Sequence, residues 1–326
     1  MLIGIFNSKN VLLQFLLIAV VYISVFYFPI NVLPNNGFNP LYGVLFNLIG
    51  NNQILARIVF VILVISPILL TQYFATLFGI IQRSHFHFLF FAPLLIFSNS
   101  MAWSITPVVV ALLLLVVGIA NLFQLNRVEN PIALSSTALI FSISSLFYSL
   151  FIWNIFLIII ALIIFREFNL RELLMVIASF ALPYVYVFSW YFIDDKIELM
   201  WNSFVESLFS FSINISFEGT YLQYVFVIFL AFFSLFIITS IILSLRNKLI
   251  TIRAYLEFLI ITFFFSILLL IFSGDNSSYH YFILQFLIAI LYSIHLNEGK
   301  KNWIHESIVM LLVFNYMFNY YLMLNA

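Results

Sequence analysis

The sequence predicts an all-α fold: a polytopic transmembrane helical bundle of about eleven spans. Three observations carry this expectation. Hydrophobic residues make up 65% of the 326 positions and charged residues only 7%, against about 25% charged in a soluble domain, so the chain cannot clothe itself in a water-compatible surface. Polar clusters divide it into apolar runs close to the roughly 20 residues that cross a bilayer. The basic residues then fall on alternate connections, as insertion requires.

The runs lie near 10–30, 54–81, 84–98, 106–125, 132–148, 151–165, 170–193, 221–245, 254–273, 280–297 and 303–324. Three of them, 84–98, 132–148 and 151–165, are short for a full crossing, and the turn near Ser149 makes 132–165 the least certain division. The first run follows one lysine and has no small-residue cleavage site, so it reads as a retained helix rather than a removed signal peptide. No extramembrane stretch exceeds about 27 residues, which predicts one transmembrane domain over 1–326 with external segments at 31–53 and 194–220.

With a cytoplasmic N-terminus, Lys9, Arg83, Arg127, Arg166, Arg171, Arg246, Lys248, Arg253, Lys300 and Lys301 all share one side. Arg57 and Lys196 alone fall opposite, and the C-terminus lies outside. The external segment 194–220 gathers Asp194, Asp195, Glu198, Glu206 and Glu218, with Asp275 in the next external loop. Acidic residues are only weakly constrained by insertion, so this enrichment is permitted without being explained.

Within 197–211, Ile197, Met200, Trp201, Phe204, Leu208 and Phe211 recur every three or four residues, opposite Glu198, Asn202, Glu206 and Ser210. That spacing predicts an amphipathic helix in the outer interface with Trp201 at headgroup depth. Asp195 and Glu198 stand as D-x-x-E, the pattern of a capping box; the helix is either simply solvated and capped or part of a site. In the first external loop, Asn39-Pro40 predicts a helix start and "LYGVLFNLIG" a second interfacial helix. That loop carries no acid.

The absence of cysteine removes disulfides, thiolate catalysis and zinc–thiolate sites, and zero net charge gives no surface for nucleic acid. No P-loop, dinucleotide fingerprint, zinc-protease or nucleophile-elbow motif occurs, so neither cofactor nor metal is expected. His280 belongs outside, whereas His85, His87, His295 and His305 belong near the cytoplasmic face. The histidines therefore read as interfacial, because one ligand set cannot span a core about 30 Å thick. Asn315 and Asn319 share a helix face and predict a hydrogen bond to a neighbouring helix. Arg253 and Glu257, four apart, predict an ion pair, and Pro67, Pro93 and Pro183 predict kinks.

Two interfacial segments, after the first and seventh helices of an N-inside bundle, resemble the membrane module of GT-C glycosyltransferases, which use polyprenyl-phosphate donors at the outer face. The chain departs from that superfamily in lacking an acid in 31–53. More locally, "FREFNLRELLMVIASFALPYVYVFSWYFIDD" (165–195) and "SGDNSSYHYFILQFLIAILYSIHLN" (273–297) resemble a family of uncharacterised bacterial inner-membrane proteins, through Arg166, Arg171, Glu172 and the mid-helix Pro183.

Three functional readings follow. The first is a non-catalytic subunit or scaffold of a cell-envelope complex. It binds lipids or other inner-membrane proteins, with Arg166, Arg171, Trp201 and Glu206 as docking residues. The second is a GT-C-like transferase, with Asp194, Asp195 or Glu198 as base or metal ligand and Arg57 and Lys196 on phosphate. The third is a lipid transporter, although no intramembrane acid or base provides ion coupling.

Overall fold

The computed structural model describes residues 31–33, 38–50, 52–82, 86–97, 104–126, 131–166, 169–209, 221–273, 277–298 and 303–325, together with Ile18, Ala19 and Tyr22. Among the described residues the fold is all-α. Its twelve helices are α1 (Pro40–Ile49), α2 (Gln53–Leu77), α3 (His87–Ile96), α4 (Pro107–Leu125), α5 (Pro131–Phe147), α6 (Ile155–Phe165), α7 (Leu170–Ile193), α8 (Ile197–Phe209), α9 (Tyr221–Ser244), α10 (Ile250–Phe272), α11 (Ser277–Glu298) and α12 (Trp303–Asn325). One two-residue parallel pair joins β1 (Asn31–Val32) to β2 (Ser104–Ile105).

Among the described residues, six segments are long and apolar enough to cross a membrane: Gln53–Leu77, Pro107–Leu125, Leu170–Ile193, Tyr224–Asn247, Ile250–Phe272 and Tyr279–Asn297. The chain is thus a membrane-embedded helical protein. Of the roughly eleven expected spans, that at 10–30 lies outside the described residues apart from Ile18, Ala19 and Tyr22, and six of the described helices meet this description. The difference comes largely from short helices. α3 has ten residues, about 15 Å at 1.5 Å per residue, half a hydrocarbon core. All ten are buried, so α3 is an internal packing helix rather than the crossing expected at 84–98. Ser149–Phe165 reaches further, because six residues of 3-10 helix precede the eleven of α6. Together they extend about 28 Å.

Packing contacts define two ends. At one, the Tyr42 hydroxyl is shared between the carbonyls of Leu33 (2.7 Å) and Ile105 (2.8 Å), and the Ser149 amide donates to Asn39 Oδ1 (2.9 Å). At the other, Phe78, Phe123, Phe165 and Tyr255 form an aromatic cluster. Tyr255 donates to the Phe123 carbonyl (3.2 Å) and Arg166 Nε to the Leu125 carbonyl (3.4 Å). α5 and the following 149–165 segment therefore run out and back between the two ends, which resolves the division at Ser149.

α11 is the central pillar: 94% of its spanning window is buried, against 17% for α7. Phe88 and Phe91 of α3 pack on Phe286 and Tyr292 of α11. Around the periphery, Ile62, Leu174, Val185, Phe232 and Leu243 stay more than half exposed or close to it. A surface of this kind is stable where hydrocarbon, not water, surrounds it.

Candidate functional site

The corner between α7 and α8 carries the densest charge of the described chain. α7 closes in a Schellman turn: the Lys196 amide donates to the Tyr191 carbonyl (3.0 Å) and the Asp195 amide to that of Phe192 (3.2 Å). Asp195 takes the left-handed position at φ +54°. Lys196, whose carbonyl accepts the Met200 amide (3.1 Å), immediately precedes the first residue of α8. The D-x-x-E pattern is therefore not a capping box; Asp195 finishes one helix instead of starting the next.

α8 folds back onto the bundle through its apolar face. Met200 is buried, and Phe204 meets Phe38 edge-on at 5.1 Å, with Tyr184 and Phe188 at 5.8 and 5.6 Å. Tyr184 in turn hydrogen-bonds Ser145 Oγ at 2.6 Å. The expected interfacial helices of the first and fourth external loops, α1 and α8, thus share one end of the bundle. Beneath α8 lies an open cavity of about 260 Å³. Its apolar lining comes from Phe38, Pro40, Leu199 and Met200; Asn39, Tyr191, Lys196 and Ser203 supply the polar groups.

The predicted site residues separate into distinct places. Asp194, Asp195, Lys196, Glu198 and Glu206 are all exposed at this corner, and Lys196 alone of them lines the cavity. Trp201 remains 55% exposed while touching Phe188 and Phe204. Arg57 is half-buried, one turn into α2 at the same end, and does not line this cavity. At the opposite end Arg166 Nη1 pairs with Glu172 Oε1 at 2.9 Å, and Arg171 is exposed beside it. Glu218 and Asp275 lie outside the described residues.

Other expectations change. Arg253 forms no ion pair with Glu257; its Nε donates to the Leu245 carbonyl (3.2 Å), satisfying an acceptor at the end of α9. Asn319 Nδ2 donates to the Asn315 carbonyl of its own helix (2.9 Å). His87, His280, His295 and His305 are enclosed by protein, and His85 lies outside the described residues. His295 and His305 stack edge-on at 5.0 Å, and among the described residues no group of three or more metal-capable side chains gathers.

His280, expected outside, is instead fully buried. Its Nε2 donates to the Ser266 carbonyl (3.0 Å), since a carbonyl can only accept. Nδ1 is then left to accept from the Tyr148 hydroxyl (3.4 Å). α11 begins at Ser277 rather than near 280, which draws His280 inside; the polar run Ser277-Ser278 was the available signal. Burial pushes the Tyr42 and Tyr148 hydroxyls well above the ordinary phenol range, with Tyr279 adding to the shift. Both therefore stay protonated donors that tie this end together. No protein family, curated protein or solved structure matches the chain.

Proposed function

We propose that the chain is a non-catalytic scaffold subunit of a cell-envelope assembly in a bacterial inner membrane, holding lipid or partner proteins on the face built by α8. The observation that carries this reading is the orientation of α8. Its inner residues seal against Phe38 and α7, while Leu199 (71% exposed), Trp201 and the carboxylates of Glu198 and Glu206 remain outward. An exposed apolar–acidic ledge on a rigidly seated helix suits docking. The cytoplasmic side is assigned to the basic end. Five of the seven described basic residues, Arg166, Arg171, Arg246, Lys248 and Arg253, lie there, as the positive-inside rule requires. Affinity purification from mild detergent tests the reading. A reproducible partner that is lost on Trp201→Glu supports it, and a lone monomer under all solubilising conditions rejects it.

A second reading draws on the same corner. The open cavity beside two helices, lined by Lys196 with Asp194 and Asp195 preceding it in sequence, supports a GT-C-like transferase, with the carboxylates as base or metal ligands and Lys196 on the donor phosphate. Asp194→Asn with Asp195→Asn then abolishes glycan transfer; unchanged glycolipid profiles dismiss it.

A further inference from the structure

We infer that a cavity at the start of α6 is a binding site for one water molecule, held inside the bundle by Asn154, Thr262 and Ser266. It shares no lining residue with the cavity beneath α8. Two independent observations point to a ligand. Asn154 is only 1% exposed, and its Nδ2 has no hydrogen-bond partner in the protein. A stranded amide donor inside a membrane bundle is costly. The Asn154 side chain also lines a cavity of about 10 Å³, at the lower end of what a single water needs. Thr262, Ser266 and His280 line the same cavity, with Leu115 and Leu269 among its apolar walls.

The elements converge there for reasons visible in the chain. Asn154 closes the 3-10 segment from which α6 continues. Thr262 and Ser266 lie four apart in α10 and so share one helix face. A water between them joins the start of α6 to the middle of α10, beside the central α11.

The lining selects the ligand. Among the described residues no charged side chain lines the cavity, so nothing compensates an anion or the dehydration of a cation. A neutral molecule that both donates and accepts remains, and the volume admits only water. Thr262 already donates to the Phe258 carbonyl (2.8 Å), so it offers the water lone pairs alone. The His280 Nε2–H reaches the Ser266 carbonyl (3.0 Å) and Ser266 Oγ (3.3 Å), which leaves the Ser266 hydroxyl proton free to donate. One water then accepts from Asn154 Nδ2 and Ser266 Oγ and donates to Thr262 Oγ1. That makes about three bonds, the usual number for a buried water.

Thermal unfolding of the purified full chain in lipid nanodiscs, with a density map fine enough to show waters, tests the site. Asn154→Leu, of similar volume, is expected to lower the melting temperature by about 2–4 °C. A dry, stranded amide predicts the opposite sign, since an apolar isostere then relieves it. Thr262→Val also lowers the melting temperature, and the double variant loses less than the two shifts combined, because either change alone releases the shared water. The wild-type map shows a peak within about 3.2 Å of both Asn154 Nδ2 and Thr262 Oγ1, and the Asn154→Leu map does not. A rise for Asn154→Leu, additive shifts, or a wild-type map without the peak overturns the inference. Stabilisation by sodium over potassium at equal ionic strength does so too, by marking a cation. Should Asn154→Leu not fold, the wild-type map decides alone.

Discussion

At Asp195 the backbone holds φ +54°, a conformation in which the Cβ of an L-residue crowds its own carbonyl. Glycine takes the equivalent place in the same turn at the end of α2. There Gly79 has φ +73°, and the Ile80 amide donates to the Ala75 carbonyl (2.9 Å). Aspartate tolerates this region better than most residues but still costs about 1 kcal/mol relative to glycine. Asp195→Gly is therefore expected to raise thermal stability in detergent by up to about that amount, and Asp195→Val to lower it by more. Tyr42 makes a second test at this scale. Its hydroxyl joins two loops through the carbonyls of Leu33 and Ile105, and Tyr42→Phe is expected to cost about 1–3 kcal/mol in denaturant unfolding, with the helical signal unchanged.

Helices α4 and α5 approach closely because residue 118 has no side chain. A Cβ there would overlap the ring of Phe141, which is itself fully buried. Gly118→Ala forces that ring or the helix axis to move and is expected to destabilise by about 1–3 kcal/mol, read as a lower melting temperature. Phe141→Leu, which clears space, should restore part of it in the double variant. The limits of such helices were legible in the sequence wherever charge brackets an apolar run. α7 runs over 170–193 and α9 over 221–244, against expectations of 170–193 and 221–245. The amphipathic α8 was legible too, since Met200 and Phe204 turn inward at the spacing that predicted it. What stayed hidden was burial within apolar neighbours. Nearly uniform apolar runs carry no periodicity that separates lipid from protein, so the wholly enclosed α3 reads like any span. His280 reads as an external residue at the start of the 280–297 run until Ser266 and Tyr148 converge on it. The capping pattern at Asp195 failed for a related reason: two helices compete for one short turn, and the backbone bonds closing α7 take it.

Across the whole molecule, charge and polarity divide between two ends. The α7–α8 corner carries four exposed carboxylates with Lys196, and the opposite end carries Arg166, Arg171, Arg246, Lys248 and Arg253. A bilayer makes that division consequential: basic residues resist translocation while acidic residues barely affect it, so the end rich in arginine fixes the direction of the entire bundle. The chain contains no cysteine, and a single introduced thiol therefore reports its own side without background. Glu206→Cys, on the exposed face of α8, is expected to react with a membrane-impermeant maleimide in intact cells. Arg171→Cys, at the start of α7, is expected to react only after lysis. Because both ends of α7 are read, the pair of variants tests one helix as a crossing as well as its direction. The reverse pattern would invert the bundle and move the α8 corner to the cytoplasmic leaflet. Labelling of both positions in intact cells would mean that α7, with its exposed apolar flank, does not traverse the bilayer.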